Sequence, residues 1–304
     1  MAVIEARSLT KHFGHVVAVN DLSFTVSQGT VVGFVGPNGA GKSTTLRMLL
    51  GLVAPTRGSA TIDGLPYRDL PDPLHAVGAV FESSSFHPGR SGRDHLRIQA
   101  LAGDAPSSRI GEVLELVGLT HAANRRVGTF SLGMRQRLAL ATALLCDPGV
   151  LILDEPANGL DPEGIRWLRD LLRGFASEGR TVLVSSHILA EIAQTADNVV
   201  ILDKGRLVAQ ASLDELLHPT RQLVRIRTPQ PAALVQALGP LGASIKVIAA
   251  DRVEVSGASP ETIGLLAAER AIPIFETTTE APALEDIFLK LTSDSADGSP
   301  KEGR

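Results

Sequence analysis

Cysteine is nearly absent from this chain, since Cys146 is the only one among 304 residues. A single thiol excludes an intrachain disulfide framework and a zinc site built from several cysteines. Long apolar runs are also missing, because a membrane-spanning helix requires about 20 predominantly apolar residues. The longest candidate, residues 138–153, is interrupted by Asp147, Pro148 and Gly149. We therefore expect no membrane span, so that any membrane role depends on a partner.

Neither sign of charge dominates the chain. The 29 basic and 33 acidic residues give a formal net charge of −4, without a run of basic residues. A basic patch is the usual mark of a nucleic-acid-binding protein, so we expect no nucleic-acid partner. The first residues also lack the basic segment and apolar core of a secretory signal. These features predict a cytoplasmic location.

Residues 36–44 match the phosphate-binding pattern G-x-x-x-x-G-K-[ST] in full. An apolar strand is predicted before them and a helix after them, which is the context that the pattern requires. The glycines let backbone N–H groups turn toward an anion, and the helix adds its positive N-terminus. The lysine can place its charge on the outer phosphates, and the serine hydroxyl can ligate Mg²⁺. The predicted phosphate-binding residues are Gly36, Pro37, Asn38, Gly39, Ala40, Gly41, Lys42, Ser43 and Thr44.

Two carboxylates follow a second apolar strand. Residues 150–162 read VLILDEPANGLDP, so Asp154 and Glu155 stand at a strand end and Asp161 follows a turn. Residues 181–185 form a further apolar strand, with His187 just after it. Because ligands bind beyond the carboxyl ends of parallel strands, we expect these side chains to meet a nucleotide and a water there.

Other segments complete the predicted architecture. Residues 3–5 and 16–26 alternate apolar and polar side chains and predict antiparallel strands, with Phe13 between them. Helical periodicity runs from residue 93 to about 145, and Ser131 is a good N-cap within it. After residue 217 the order becomes strand, helix, strand, strand, helix, strand and a last helix at 284–291, which is typical of a split β-α-β unit.

This order of motifs resembles the ATP-binding subunit of ABC transporters over about residues 3–217. The resemblance implies that residues 36–44 form the Walker A loop, with Lys42 on the phosphates. Asp154 is similar to the Walker B aspartate that holds Mg²⁺, and Glu155 to the general base for the attacking water. His187 resembles the switch histidine that contacts the γ-phosphate. Phe13 occupies the place of the aromatic ring that stacks on adenine.

Residues 131–134 occupy the place of the family's signature motif. In this family the signature helix does not reach its own subunit's nucleotide and caps ATP held by a second subunit. The resemblance therefore implies that Ser131 and Gly133 bind the partner subunit's ATP, and that Asp161 links the two active sites. We expect ATP to join two ATPase subunits head to tail, as a homodimer or with a related chain.

Two segments depart from the family pattern. The signature reads Phe-Ser-Leu-Gly-Met where the commonest form is Leu-Ser-Gly-Gly-Gln. Glu82 stands in place of a glutamine; it can ligate Mg²⁺, but an ionised carboxylate cannot donate a hydrogen bond. Residues 77–83 and 283–288 resemble the bacitracin, lantibiotic and drug export group. This implies export of a drug, peptide antibiotic or lipid-like compound through a separate membrane permease, which is expected to dock on residues 83–92.

The expected fold is α/β, with a P-loop NTPase core, an antiparallel β subdomain, a helical insertion and a small C-terminal α+β, ferredoxin-like domain. We place the ATP-binding domain at 1–217, its helical subdomain at about 83–148, the accessory domain at 218–292 and a disordered tail at 293–304. The permease would hold the protein on the inner face of the cell membrane.

Several alternatives stay open. A non-transport ABC ATPase, acting as a regulatory or mechanochemical module, would share the motifs. A P-loop kinase or GTPase would explain the phosphate loop, but not Ser131, Asp161 and His187 together. The C-terminal domain either stabilises a dimer by packing or senses a ligand.

Overall fold

The computed structural model describes residues 2–81, 86–216 and 223–280. The chain separates into two compact units, Met1–Ala211 and Ser212–Arg304. The boundary predicted between residues 217 and 218 lies outside the described residues, as do Glu82, the predicted helix at 284–291 and the tail. Among the described residues, no helix is long and apolar enough to cross a membrane.

Residues 2–216 contain the two sheets of the first unit, the helices between their strands and, from residue 213, the first helix of the second unit. The strands are β1 (Ala2–Phe13), β2 (Val16–Ser27), β3 (Val31–Val35), β4 (Arg57–Ile62), β5 (Val77–Val80), β6 (Val150–Leu153), β7 (Thr181–Ser186), β8 (Asn198–Asp203) and β9 (Arg206–Ser212). The helices are α1 (Lys42–Leu49), α2 (Pro73–Ala76), α3 (Gly92–Ala102), α4 (Ser108–Leu116), α5 (Leu132–Ala143), α6 (Pro162–Ser177), α7 (Leu189–Thr195) and α8 (Leu213–Leu216).

The central sheet determines where the functional loops lie. Its strand order is β5-β6-β7-β3-β8-β9. Each neighbouring pair among the first five strands in this order is parallel. Every residue of β3, β6 and β7 is buried, as expected of parallel strands covered on both faces. The carboxyl ends of these three strands therefore bring the phosphate loop, the Asp-Glu pair and His187 to one edge.

A smaller antiparallel sheet, of order β2-β1-β4, packs on the same core. Along β2, Leu22, Phe24 and Val26 are buried and alternate with exposed residues. The ring centroids of Phe24 and Phe34 are 5.1 Å apart, which joins this sheet to the central one. Because β1 ends at Phe13, the hairpin to β2 carries the predicted adenine-stacking ring.

Helices α3, α4 and α5 form the predicted helical insertion. The predicted N-cap is confirmed at α5, where the backbone N–H of Met134 donates to Ser131 Oγ at 3.2 Å. Leu138, Leu140 and Ala141 of α5 are buried. Sequence periodicity missed α7, because its seven residues are too few to show a helical repeat.

The second unit has the element order predicted from its sequence. It contains β10 (Leu223–Arg227), α9 (Pro231–Leu238), β11 (Ser244–Ala249), β12 (Arg252–Ser256), α10 (Pro260–Glu269) and β13 (Glu276–Glu280). The sheet order is β11-β12-β10-β13, with each neighbouring pair antiparallel. Its core joins inward residues of β10 and β12, such as Val224 and Val255, to Leu234 and Ile263 of the helices.

Candidate nucleotide site

The phosphate loop requires glycine at particular positions. Gly39 and Gly41 have φ values of +84° and +96°, in the left-handed region that side chains disfavour. A Cβ atom at Gly36 would clash with the carbonyl oxygen of Leu202, and one at Gly41 with that of Ala18. The glycines of the motif therefore serve both the backbone turn and close packing against neighbouring segments.

Lys42 lies inside the loop and is buried. Its Nζ donates to the carbonyl oxygens of Gly36 at 2.7 Å and Pro37 at 3.3 Å. The same nitrogen lies 3.3 Å from Glu155 Oε1. The loop thus holds one positive charge at its mouth, next to the carboxylate that follows β6.

A buried hydroxyl organises the two carboxylates. Ser185 Oγ donates to Asp154 Oδ1 at 2.7 Å and accepts from the backbone N–H of Glu155 at 2.9 Å. Glu155 has a φ of +49°, which is strained for a residue with a side chain. Ser185 was not identified from the sequence, where it is only the last residue of a predicted apolar strand.

Glu155 is held between Lys42 and His187. Its Oε2 lies 2.8 Å from His187 Nδ1, and the His187 backbone N–H donates to the same oxygen at 3.4 Å. Lys42 approaches the other carboxylate oxygen. Only 10% of the Glu155 side chain is exposed, so its charge interacts with these neighbours more strongly than it would in water.

Glu191 is a further carboxyl group that interacts with Glu155 and His187, and sequence reasoning missed it. Burial raises its pKa; the charge of Glu155 acts in the same direction, whereas His187 and a hydrogen bond from Ser186 oppose the rise. It lies in the first turn of α7, the helix that also escaped prediction.

A cleft of about 500 Å³ joins the hairpin, the phosphate loop and the pair of Glu155 and His187. Phe13, which is 50% exposed, stands at one end, and Lys11 Nζ lies 4.9 Å from its ring centroid. Asn158 is a lining residue that the sequence did not reveal. The lining residues are Phe13, Val16, Val17, Ala18, Asn38, Gly39, Ala40, Gly41, Lys42, Ser43, Thr44, Glu155, Asn158 and His187.

Five predicted binding residues do not line this cleft: Gly36 and Pro37 at the start of the phosphate loop, and Ser131, Gly133 and Asp161, which lie elsewhere in the chain. Ser131 caps its own helix, and Asp161 Oδ1 accepts from the backbone N–H of Gly164 at 2.7 Å as the N-cap of α6. Gly133 packs against the backbone of Gly159, since a Cβ at Gly133 would lie 3.1 Å from the Gly159 carbonyl oxygen. The described residues of one chain therefore assemble only part of the predicted site.

The oxygen atoms that the protein offers here fit a magnesium ion whose remaining ligands come from a nucleotide and water. Asp154 is 1% exposed, and its Oδ2 is buried without a hydrogen-bond partner. Ser43 lies at the start of α1 and lines the cleft. No group of three or more His, Cys, Asp or Glu side chains is placed to hold a metal among the described residues. Few protein ligands are typical of Mg²⁺ bound with phosphates and water.

Comparison with known proteins decides the family. The ABC transporter family profile matches residues 19–158, which include the phosphate loop and the Asp-Glu pair. The bacitracin transport ATP-binding protein BcrA of Bacillus licheniformis is 38% identical over 296 residues, covering 95% of this chain and 97% of that protein. The chain is an ABC transporter ATP-binding protein. ATP-binding cassettes are ATPases, so the predicted enzyme class and family are confirmed.

Further relatives agree with this family. The Nod factor export ATP-binding protein I of Burkholderia orbicola is 34% identical, and the alignment covers 96% of this chain and 97% of that protein. The lantibiotic transport ATP-binding protein SrtF of Streptococcus pyogenes is 37% identical over 70% of this chain and 92% of its own. These relatives favour an ATP-hydrolysing subunit that powers a permease over the non-transport alternative.

A solved structure extends the likeness to the fold. An ATP-binding subunit of an ABC transporter superposes with a TM-score of 0.65 at 31% identity, covering 70% of this chain and 91% of that one. The P-loop NTPase core with its antiparallel β subdomain is thereby confirmed. Residues 222–285 match a domain of unknown function, DUF8746.

Proposed function

We propose that this ABC ATPase powers a permease that exports an amphiphilic compound, such as a peptide antibiotic, a drug or a lipid-like molecule. The names of the bacitracin, lantibiotic and Nod factor relatives support export. The protein would act at the cytoplasmic face of the membrane through that permease.

The observation that carries ATP hydrolysis is the position of Glu155 between Lys42 and His187 at the mouth of the phosphate loop. In our proposal Glu155 is the general base that takes a proton from the attacking water. His187 orients that carboxylate through the 2.8 Å contact and reaches toward the γ-phosphate. Lys42 moves its charge from the loop carbonyls to the phosphates when ATP binds.

Asp154 and Ser43 would hold Mg²⁺, and Glu82 is proposed as a third ligand, although it lies outside the described residues. The buried free oxygen of Asp154 supports this assignment. When bound, the ion would neutralise charge that develops on the phosphates. Ser185 keeps the other Asp154 oxygen occupied, so that only the free one is available to a metal ion.

Phe13 is proposed to stack on adenine. Half of its surface is exposed at the hairpin end of the cleft, and Lys11 lies over the ring. An aromatic face binds any base by stacking, so the phosphates provide orientation while Phe13 provides contact area.

We further propose that two copies of the chain form the functional ATPase. Ser131, Gly133 and Asp161 would complete the partner's site, which is supported by their positions outside their own cleft. A dimeric bacterial ABC transporter cassette, 25% identical with a TM-score of 0.64, supports this assembly. Backbone N–H groups at the start of α5 are suited to bind a phosphate.

The permease is proposed to dock in a groove beside the helical insertion. The groove has a volume of about 260 Å³ and combines apolar side chains with a few polar ones. Its lining residues are Phe86, Pro88, Val127, Gly128, Leu132, Arg135 and Gln136. Because Leu132 belongs to the signature motif, this groove includes part of that motif. Docking of the permease would therefore be coupled to ATP binding.

The C-terminal unit is proposed to be a ferredoxin-like accessory domain that begins near residue 218. Two observations support this assignment, the β-α-β-β-α-β order and the antiparallel sheet order β11-β12-β10-β13. A DUF8746 match that starts at residue 222 agrees with the proposed boundary.

Transport in inverted membrane vesicles tests the proposed function. The chain would be co-expressed with the permease that co-purifies with it, and uptake of bacitracin and of a fluorescent lipid would be measured with and without ATP. We expect ATP-dependent uptake of at least one compound, lost with Glu155→Gln and retained with the exposed control Glu163→Gln. ATPase activity without ATP-dependent uptake of either compound would contradict export.

A further inference from the structure

The sheet of the second unit has one charged face. Val224 and Ile226 of β10 are buried against the core that includes α9 and α10. Because side chains alternate along a strand, Arg225 and Arg227 lie on the opposite face. Arg252 of β12 lies on that face as well, since its neighbour Val253 is buried.

Two of these arginines are directly opposed. The antiparallel register of β10 and β12 pairs Arg227 with Arg252. Like charges in directly opposed positions destabilise a sheet. At the neighbouring outward-facing position of the two strands, opposite charges face each other. There Arg225 is paired with Glu254, and their ion-pair distance is 2.9 Å. The pair of Arg227 and Arg252 is therefore an exception on its own sheet.

Nearby carboxylates do not fully neutralise these two arginines. Arg227 Nε lies 3.4 Å from Glu276 Oε2, but the same nitrogen is buried and makes no hydrogen bond. Arg252 is exposed and makes no ion pair or side-chain hydrogen bond within the described residues. One carboxylate thus faces two guanidinium groups, which leaves a net positive charge where the strands meet.

A cavity of about 200 Å³ lies against this pair. Since a water molecule takes about 30 Å³ of liquid volume, the space is far larger than one or two waters require. Its lining residues are Arg225, Ile226, Arg227, Arg252, Glu276 and Thr278. Phe275 is not a lining residue but contacts one of them: it is 62% exposed, and its ring centroid lies 5.6 Å from the Arg227 guanidinium carbon.

We propose that this cavity is a binding site for an organic phosphate monoester, with its phosphate between Arg227 and Arg252 and its organic part on Phe275. Guanidinium groups match phosphate oxygens with two parallel N–H donors, and the Thr278 hydroxyl offers one more. Phosphate binding converts the repulsion between two arginines into two attractions. An exposed aromatic ring beside the cations favours a phosphate that carries an apolar or planar group over a bare anion.

The proposed site consists only of residues of the accessory domain. No residue that lines the nucleotide cleft belongs to it. Binding here is therefore separable from ATP binding, and the assignment does not depend on the proposed export function.

Calorimetric titration of full-length Lys42→Ala, in which the phosphate loop is disabled, tests the site with phenyl phosphate as probe. Each further substitution is made in that background. We expect saturable binding that Arg227→Gln and Arg252→Gln each weaken by about tenfold or more, as for loss of a charged hydrogen bond. Arg270→Gln is the matched control, since Arg270 is exposed at the end of α10 and should leave binding unchanged.

Two further probes define the ligand class. Inorganic phosphate should bind more weakly than phenyl phosphate, and Phe275→Ala should remove most of that difference. Benzoate, which keeps the ring but replaces phosphate with a carboxylate, should bind more weakly than phenyl phosphate. Equal binding of benzoate and phenyl phosphate would overturn the phosphate assignment, and no binding of any probe at millimolar concentration would overturn the site.

Hydrogen exchange without ligand provides an independent readout. If the opposed arginines repel, Arg252→Gln should increase protection of β10 and β12, whereas Arg225→Gln should decrease it because it breaks the pair with Glu254. Phenyl phosphate should then protect the wild-type strands and not those of Arg252→Gln. Unchanged or lower protection in Arg252→Gln, with the probe effect retained, would overturn the proposal.

Discussion

The phosphate-loop cleft and the start of α5 carry residues assigned to one reaction, but their side chains are engaged in different ways. In the cleft, Lys42 and His187 both contact Glu155, and the three residues line a shared volume. At the start of α5, Ser131 is exposed, and its only hydrogen bond to a described residue is within its own helix. Asp161 likewise caps its own helix, α6.

This difference indicates which parts of the reaction one chain can perform. The cleft residues are held by contacts between distant parts of the sequence, so one chain fixes the geometry of Glu155 and the phosphate loop. The signature and Asp161 are held by local caps, which fix a helix N-terminus and leave its remaining N–H groups for an external anion.

Glu155→Gln should cause the largest loss. Removing the base should lower ATP turnover by roughly 100-fold or more. ATP binding should remain, because Lys42 and the loop are unchanged, and an ATP-bound dimer should accumulate. Phosphate release and size-exclusion chromatography measure the two effects, and normal turnover would remove Glu155 from its assigned role.

Ser185→Ala should come next. It removes a hydrogen bond of about 1.5–3 kcal/mol from the Asp154 carboxylate and frees the Glu155 N–H. We expect turnover to fall about tenfold or more, together with a lower melting temperature. Ser177→Ala is the matched control, because that hydroxyl bonds only to a helix carbonyl and is exposed. Equal behaviour of the two variants would show that Ser185 does not organise the carboxylates.

Phe13→Ala should have a smaller effect, confined to binding. Base–aromatic stacking contributes about 1–3 kcal/mol, so KM for ATP should rise about tenfold with kcat nearly unchanged. Phe275→Ala, an exposed ring in the second unit, is the control. A fall in kcat without a change in KM would contradict a stacking role.

Glu191→Gln should have the smallest effect, visible as a pH dependence of stability. Burial raises the Glu191 pKa, so the folded chain binds this proton more tightly than the unfolded chain. Glu191 therefore stabilises the fold below its unfolded pKa of about 4.3, and that contribution is lost as the pH rises through the higher folded pKa. The variant should gain melting temperature relative to the wild type over that window, whereas Glu163→Gln should show no such trend. A constant difference at all pH values would contradict the titration.

Much of this site could be predicted because its chemistry needs fixed spacing. The loop around Lys42 and the pair of Asp154 and Glu155 are contiguous motifs at strand ends, and parallel pairing brings them together. Ser185 and Glu191 could not be predicted, because a hydroxyl in an apolar strand and a carboxyl in a seven-residue helix carry no periodic signal. The pairing of Arg227 with Arg252 depends on strand register, which the sequence pattern does not determine.

Complementation between two inactive variants tests the composite site most directly. Lys42→Ala disables the phosphate loop, and Ser131→Glu places a carboxylate where the partner's phosphate would bind. Mixing equal amounts should restore about one quarter of wild-type ATPase activity, because half of the dimers are mixed and each mixed dimer has one complete site. No activity above the average of the two separate variants would contradict a site shared between subunits.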